Sequence, residues 1–125
     1  KKMKKSSDNI YSLEKLRAIT NGDEEFVKEM ITLFISKAPE TINLIVKNYD
    51  LKDFENVASY AHKLKSSVQI IGNEEIHILI KDIESQALSS TDEQLGLSIE
   101  KLKLQMSQLL EYLKKQVWDF FSPAE

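Results

Sequence analysis

The chain has 125 residues, enough for one domain with a single hydrophobic core, and 42% of them are hydrophobic against 30% charged. A net charge of −3 argues against nucleic-acid binding as the main task, and the absence of cysteine excludes disulfides, thiolate metal sites and a cysteine nucleophile. No apolar run reaches the roughly 18 residues a membrane span needs, and 3 Gly with 2 Pro are too few for a many-stranded sandwich or barrel.

Residues 1–9 are polar and aperiodic. Their basic run (Lys1, Lys2, Lys4, Lys5) reads as a solvated linker or leader, and Ser6 to Asn9 interrupt any signal-peptide core. Leu13, Leu16 and Ile19 make a short apolar pattern of about two helical turns. Asn21-Gly22 ends it, and Asn21 with Glu24 three residues on resembles a capping box for the next helix. That helix is expected over 23–48, with Phe26, Met30, Leu33, Phe34, Ile42, Ile45 and Tyr49 as its buried stripe. Pro39 inside it should kink the helix or divide it.

Asp50 to Asp53 form a polar break with capping potential. A third helix over 53–71 buries Phe54, Val57, Ala61, Leu64, Val68 and Ile71, and Gly72 is its natural stop. A fourth, over 74–88, turns Ile76, Leu79, Ile80, Ile83 and Ala87 inward. Ser89-Ser90 breaks it, and Thr91 with Gln94 offers a further capping box. The last helix carries Leu95, Ile99, Leu102, Met106, Leu109, Leu113 and Val117, close to a heptad seam. The expected fold is all-α: an antiparallel four-helix bundle over 10–120 with a short additional N-terminal helix, followed by a tail at 121–125.

At 100° per residue, His62 points about 120° away from the core direction of the third helix, so it is not a core histidine. Ser59 and Ser66 share its exposed face, Gln69 extends the strip, and Lys65 flanks the boundary between core and surface. An ordinary imidazole titrates near about 6.5, so much of it is nucleophilic at neutral pH, and a nearby ammonium stabilises phosphoryl oxygens. On spacing alone, an exposed helix histidine is usually an ordinary surface residue.

The run Ala61-His62-Lys63-Leu64-Lys65-Ser66-Ser67, with Gly72 ten residues after His62, resembles the signature of histidine-containing phosphotransfer (HPt) domains, Ala-His-x-Leu-Lys-Gly-Ser followed by a later Gly. Leu16 to Pro39, with Asn21 to Phe26 and Phe34, is similar to that family's opening helices, and the resemblance spans about residues 10–115. It implies a phosphorelay intermediate, a domain without kinase activity of its own. His62 would accept a phosphoryl group from a receiver-domain phosphoaspartate and pass it to another receiver. Lys65 would steady that group, Glu84 on the next helix would orient the imidazole, and Gly72 would close the histidine-bearing helix. Ser59, Lys63, Ser66 and Gln69 would form the docking surface. Ser66 departs from the family's usual Gly, a change expected to alter partner choice or rate.

The same resemblance implies no cofactor here, Mg²⁺ belonging to the receiver, and a monomeric, cytoplasmic domain without membrane insertion. The charged leader and the missing initial Met lean towards the C-terminal domain of a hybrid two-component sensor kinase. The competing reading is a helical adaptor that binds a partner through the His62 face without covalent chemistry. Without the resemblance, Lys65 reads as a snorkelling lysine, Glu84 as a solvated charge and Lys63 as a solubilising residue pointing straight into solvent. Glu74 and His77 have the Glu-x-x-His spacing of di-iron bundles, but Ser59 stands three residues before His62, so the second such motif is missing and a metal-binding bundle ranks last. Trp118, Phe120 and Phe121 form an aromatic cluster, of which Trp118 and one Phe read as a cap over the open end of the bundle, against the alternative of a docking or oligomer contact. No Gly-rich phosphate loop is present.

Overall fold

The structure, a computed structural model, describes residues 13–89 and 92–121, with side chains as far as 117. Among these residues all regular structure is helical. The helices are α1 (Glu14–Ile19), α2 (Glu24–Asp50), α3 (Phe54–Ile71), α4 (Glu74–Ser89) and α5 (Asp92–Phe121). Short connections force consecutive helices to run antiparallel. α2 packs on α3, α3 on α4, α4 on α5 and α5 back on α2, closing a ring of four. The short α1 lies across α2 and α3. No helix is long and apolar enough to cross a membrane among the described residues.

The apolar stripes of α3, α4 and α5 are buried where their spacing put them and form one continuous core with those of α2. On α2 the first half of the expected stripe is displaced by one residue. Val27, Ile31, Phe34 and Ala38 face the core, while Phe26 and Leu33 are 45% and 51% exposed and Met30 is half-buried. Both stripes are apolar and lie about 100° apart on the helix, so periodicity alone could not choose between them. Ile19, expected inward, is also exposed.

Pro39 does not divide α2, which is continuous from Glu24 to Asp50. Proline removes one backbone donor from the ladder. The turns flanking it are anchored in the core by Ala38 and Ile42, and that burial outweighs one missing hydrogen bond.

The start of α2 is capped by Asp23, whose carboxylate accepts from the Glu25 and Phe26 amides at 3.1 and 3.3 Å. Asn21, the expected cap, instead adopts φ 61° beside Gly22 at φ 76°, the left-handed turn that reverses the chain after α1. Asp53 caps α3, accepting from the Asn56 amide at 3.3 Å. Gly72 closes α3 at φ 86°, its amide donating to the Val68 carbonyl at 2.9 Å. The buried Asn73 caps α4, accepting from the Ile76 amide at 2.7 Å. The Thr91 cap and residues 1–9 lie outside the described residues, as do the side chains of Trp118, Phe120 and Phe121.

At the end of the bundle away from α1, the Tyr49 hydroxyl donates to the Asp92 carbonyl at 3.2 Å, and Lys52 pairs with the Asp92 carboxylate at 2.7 Å. The Tyr49 ring stacks on Phe54 and lies against Gly96, where a Cβ would meet its hydroxyl and, at 3.1 Å, Cζ. Gly in a helix interior ordinarily costs about 1 kcal/mol against Ala. Here the sign should reverse: G96A is expected to destabilise by about 1–2 kcal/mol in urea unfolding. The double variant G96A/Y49F should recover part of that loss.

Candidate functional site

α3 presents its face according to what it buries. Ala61 and Leu64 are 0% and 3% exposed, which turns His62 outward; its side chain is 64% exposed. Ser59, Lys63, Ser66 and Gln69 are exposed on the same helix, and Lys65 is half-buried at the seam with α4. Lys63 is solvent-exposed, in keeping with its expected outward direction. Its ammonium lies 5.5 Å from the centre of the half-buried Tyr60 ring.

α4 supplies the partner. The turn Gly72-Asn73 joins α3 and α4 so tightly that residues equally far from it stand opposite one another. His62 lies ten residues before Gly72 and Glu84 eleven after Asn73. The fully buried Ile80 and Ile83 fix the turn of α4 on which Glu84 sits. One Glu84 oxygen then lies 2.9 Å from His62 Nδ1, and the other accepts from Lys65 Nζ, also at 2.9 Å.

The Lys65 hydrogen bond holds the Glu84 carboxyl below its ordinary value of 4.5; partial burial opposes that shift, and the His62 contact reinforces it. An ionised carboxylate only accepts, so the proton in the His62–Glu84 bond belongs to Nδ1. The neutral ring therefore carries its lone pair on Nε2. This is the arrangement of an oriented imidazole nucleophile: one nitrogen tied down by an anion, the other free to attack.

The structure thus brings His62, Lys65 and Glu84 together. It gives Lys65 a partner that sequence reasoning did not assign, although Lys65 stands one helical turn from His62 on the seam side. Gln69 and Gly72 instead border a polar depression with Glu74 and His77 near the end of α3. No group of three or more potential metal-ligating side chains occurs among the described residues.

Sequence reasoning also missed a cavity of about 200 Å³ between α2 and α3. Met30, Leu33, Phe34 and Ile70 line it, and Lys37 and Lys63 stand among its walls. The displacement of the α2 stripe contributes to it, since Met30 and Leu33, expected in the core, open onto it instead.

The model of the Hpt domain family matches residues 29–116. The chain is 24% identical over 102 residues to the phosphorelay intermediate protein rdeA of Dictyostelium discoideum, a match covering 80% of this chain and 40% of that protein. Its fold is similar to the HPT domain of an Hpt sensor hybrid histidine kinase from Shewanella, with a TM-score of 0.75, 21% identity, and coverage of 93% of this chain and 99% of that one. Helical architecture and family match agree. The chain belongs to the Hpt domain family, and with it to the phosphorelay proteins of two-component signalling.

Because folding lowers the Glu84 value, the unfolded chain binds more protons as the medium is acidified. The stabilisation from Glu84 is present above the ordinary carboxylate value and is lost as pH falls through the depressed one. Glu84→Gln should cost about 1 kcal/mol in denaturant unfolding above about pH 5. The gap between wild type and variant should close as pH falls below the ordinary carboxylate range.

Proposed function

We propose that His62 is the phosphoryl carrier of a multistep relay. Its Nε2 attacks the phosphorus of a receiver-domain phosphoaspartate, the N–P bond forms, and the aspartyl O–P bond breaks with its electron pair returning to the receiver carboxylate. A second receiver aspartate then reverses the step. The observation that carries this reading is the solvent-facing His62 ring with Nδ1 held 2.9 Å from Glu84.

Lys65 contributes positive charge beside the site, within a side chain's reach of the incoming phosphoryl oxygens. Mg²⁺ is assigned to the receiver, and catalytic help from this domain is positioning and charge. The relay reading puts the domain in the cytoplasm with its receivers, as a monomer. Ser59 and Ser66 offer low relief around the ring, and Ser66 is small enough for close approach.

The α2–α3 cavity continues this face, because Lys63 and Ser67 line it from the helix that bears His62. An apolar receiver helix edged with carboxylates would fill it and pair with Lys37 and Lys63.

Incubation with a ³²P-labelled phosphoreceiver should place acid-labile, alkali-stable label on this chain. His62→Gln should abolish the label and His77→Gln should keep it. Binding without label in the wild type would mean an adaptor instead. Leu33→Glu should weaken receiver binding about tenfold, a change of about 1.4 kcal/mol, with the unfolding midpoint unmoved.

A further inference from the structure

The cavity between α2 and α3 has two unlike ends. In an antiparallel pair, residues equally far from the connection stand opposite one another. Counted from Lys52 in that connection, Phe34 and Ile70 each lie eighteen residues away, Lys37 and Ser67 fifteen, and Thr41 and Lys63 eleven. All six line the cavity. The end towards α1, where Leu16 also lines it, is therefore apolar. The end beside His62 carries two lysines and two hydroxyls. From Phe34 to Thr41 the helix rises about 10 Å, so the two ends are a short hydrocarbon chain apart.

Such a trench selects its occupant twice, by apolar bulk and by charge. An apolar cavity of about 150 Å³ accommodates a benzene ring. The volume of about 200 Å³ here then takes a chain of about eight carbons. No carboxylate is among the residues that line it, so a cationic head would meet two like charges and no partner. Neither lysine is firmly engaged elsewhere. Lys37 pairs with Glu40 at 3.7 Å, but both side chains are exposed, and such pairs stabilise little. Lys63 rests against the face of the Tyr60 ring, which leaves its ammonium protons unpaired by any anion there.

The geometry points to a binding site for a small monocarboxylate with an apolar chain, its tail towards Leu16 and its head between Lys37 and Lys63. A free molecule of this kind carries the same two features as a docking helix, an apolar body and a carboxylate. The site itself is independent of the chemistry at His62. Its consequence rests on the relay reading: a ligand seated there occupies the ground of an acid-edged receiver helix and slows the transfer.

The probe is octanoate, added to the full chain without any receiver and followed by methyl NMR. Octanol and octyltrimethylammonium serve as chain-matched controls. Saturable shifts are expected at the Met30, Leu33 and Ile70 methyls and not at Leu102 and Leu109 on α5. Two exposed ion pairs at the upper end of their usual strength make octanoate about tenfold tighter than octanol, with the cation weakest. Lys37→Gln combined with Lys63→Gln should bring octanoate down to octanol and leave octanol unchanged. Indifference of the wild type to the head, a preference that survives the double variant, or shifts that never saturate would overturn the proposal.

Saturating octanoate should then slow label transfer from a phosphoreceiver. Binding as described with transfer unchanged supports the site and removes the cavity from the receiver interface. A chain that never takes label loses the relay reading, and the comparison of heads decides the site all the same.

Discussion

One carboxylate ties the histidine-bearing helix to its neighbour, and the site exists because that tie is in register. Glu84 can meet both His62 and Lys65 only if α3 and α4 are fixed in axial position and rotation. The charged hydrogen bonds cannot do this themselves. Each is partly exposed and stabilises by about 1 kcal/mol. Burial of Leu64, Val68, Ile80 and Ile83 is worth about 1.5–3 kcal/mol per side chain, so the core sets the register and the polar contacts follow it. Gly72 completes the constraint. Its left-handed backbone lets α3 end and α4 begin within two residues, and a longer connection would let the helices slide.

The far end of the bundle solves a related problem with different chemistry. α2 and α5 are joined through the chain only by way of two other helices, so no short turn sets their register. The Tyr49 ring packs on Phe54 and into the space left by the bare Gly96, while its hydroxyl and Lys52 both engage Asp92 at the start of α5. Lys52 holds the Asp92 carboxyl below its usual value, as expected of a close ion pair on an exposed surface. The His62 face is thereby free of any structural duty to lock the helices at that end.

Much of this was legible in the sequence, for identifiable reasons. α3, α4 and α5 each carry one dominant apolar stripe, the exposed Ile78, Leu88, Leu97 and Leu104 being too few to rival it, so spacing determined their buried faces and the outward turn of His62 followed. α2 carries two adjacent apolar stripes, and only its neighbours decide which is inside. Phe26 and Leu33 were therefore misplaced, and the cavity that Leu33 lines with Met30 went unseen. The α2 cap was misread because Asn21 and Asp23 are both competent cap residues, and the left-handed turn at Asn21-Gly22 consumes the first. The meeting of Lys65 with Glu84 is a tertiary fact, but its elements are local: Lys65 sits on the seam side of α3, and the tight turn at Gly72-Asn73 sets the register.

A carboxylate at this seam does more than an amide in its place would do. Both groups accept from Nδ1 and both fix the ring, so orientation alone does not distinguish them. Only the carboxylate brings a full negative charge, and in a chain of net charge −3 such a charge needs a reason to sit at a half-covered seam. Lys65 supplies part of that reason by neutralising Glu84 in the resting state. A phosphoryl group on Nε2 would arrive with its own negative oxygens, and Lys65 would be drawn between them and Glu84. Imidazole and ammonium are thus gathered around one carboxylate on two rigid helices, and their geometry is already in place before any partner docks.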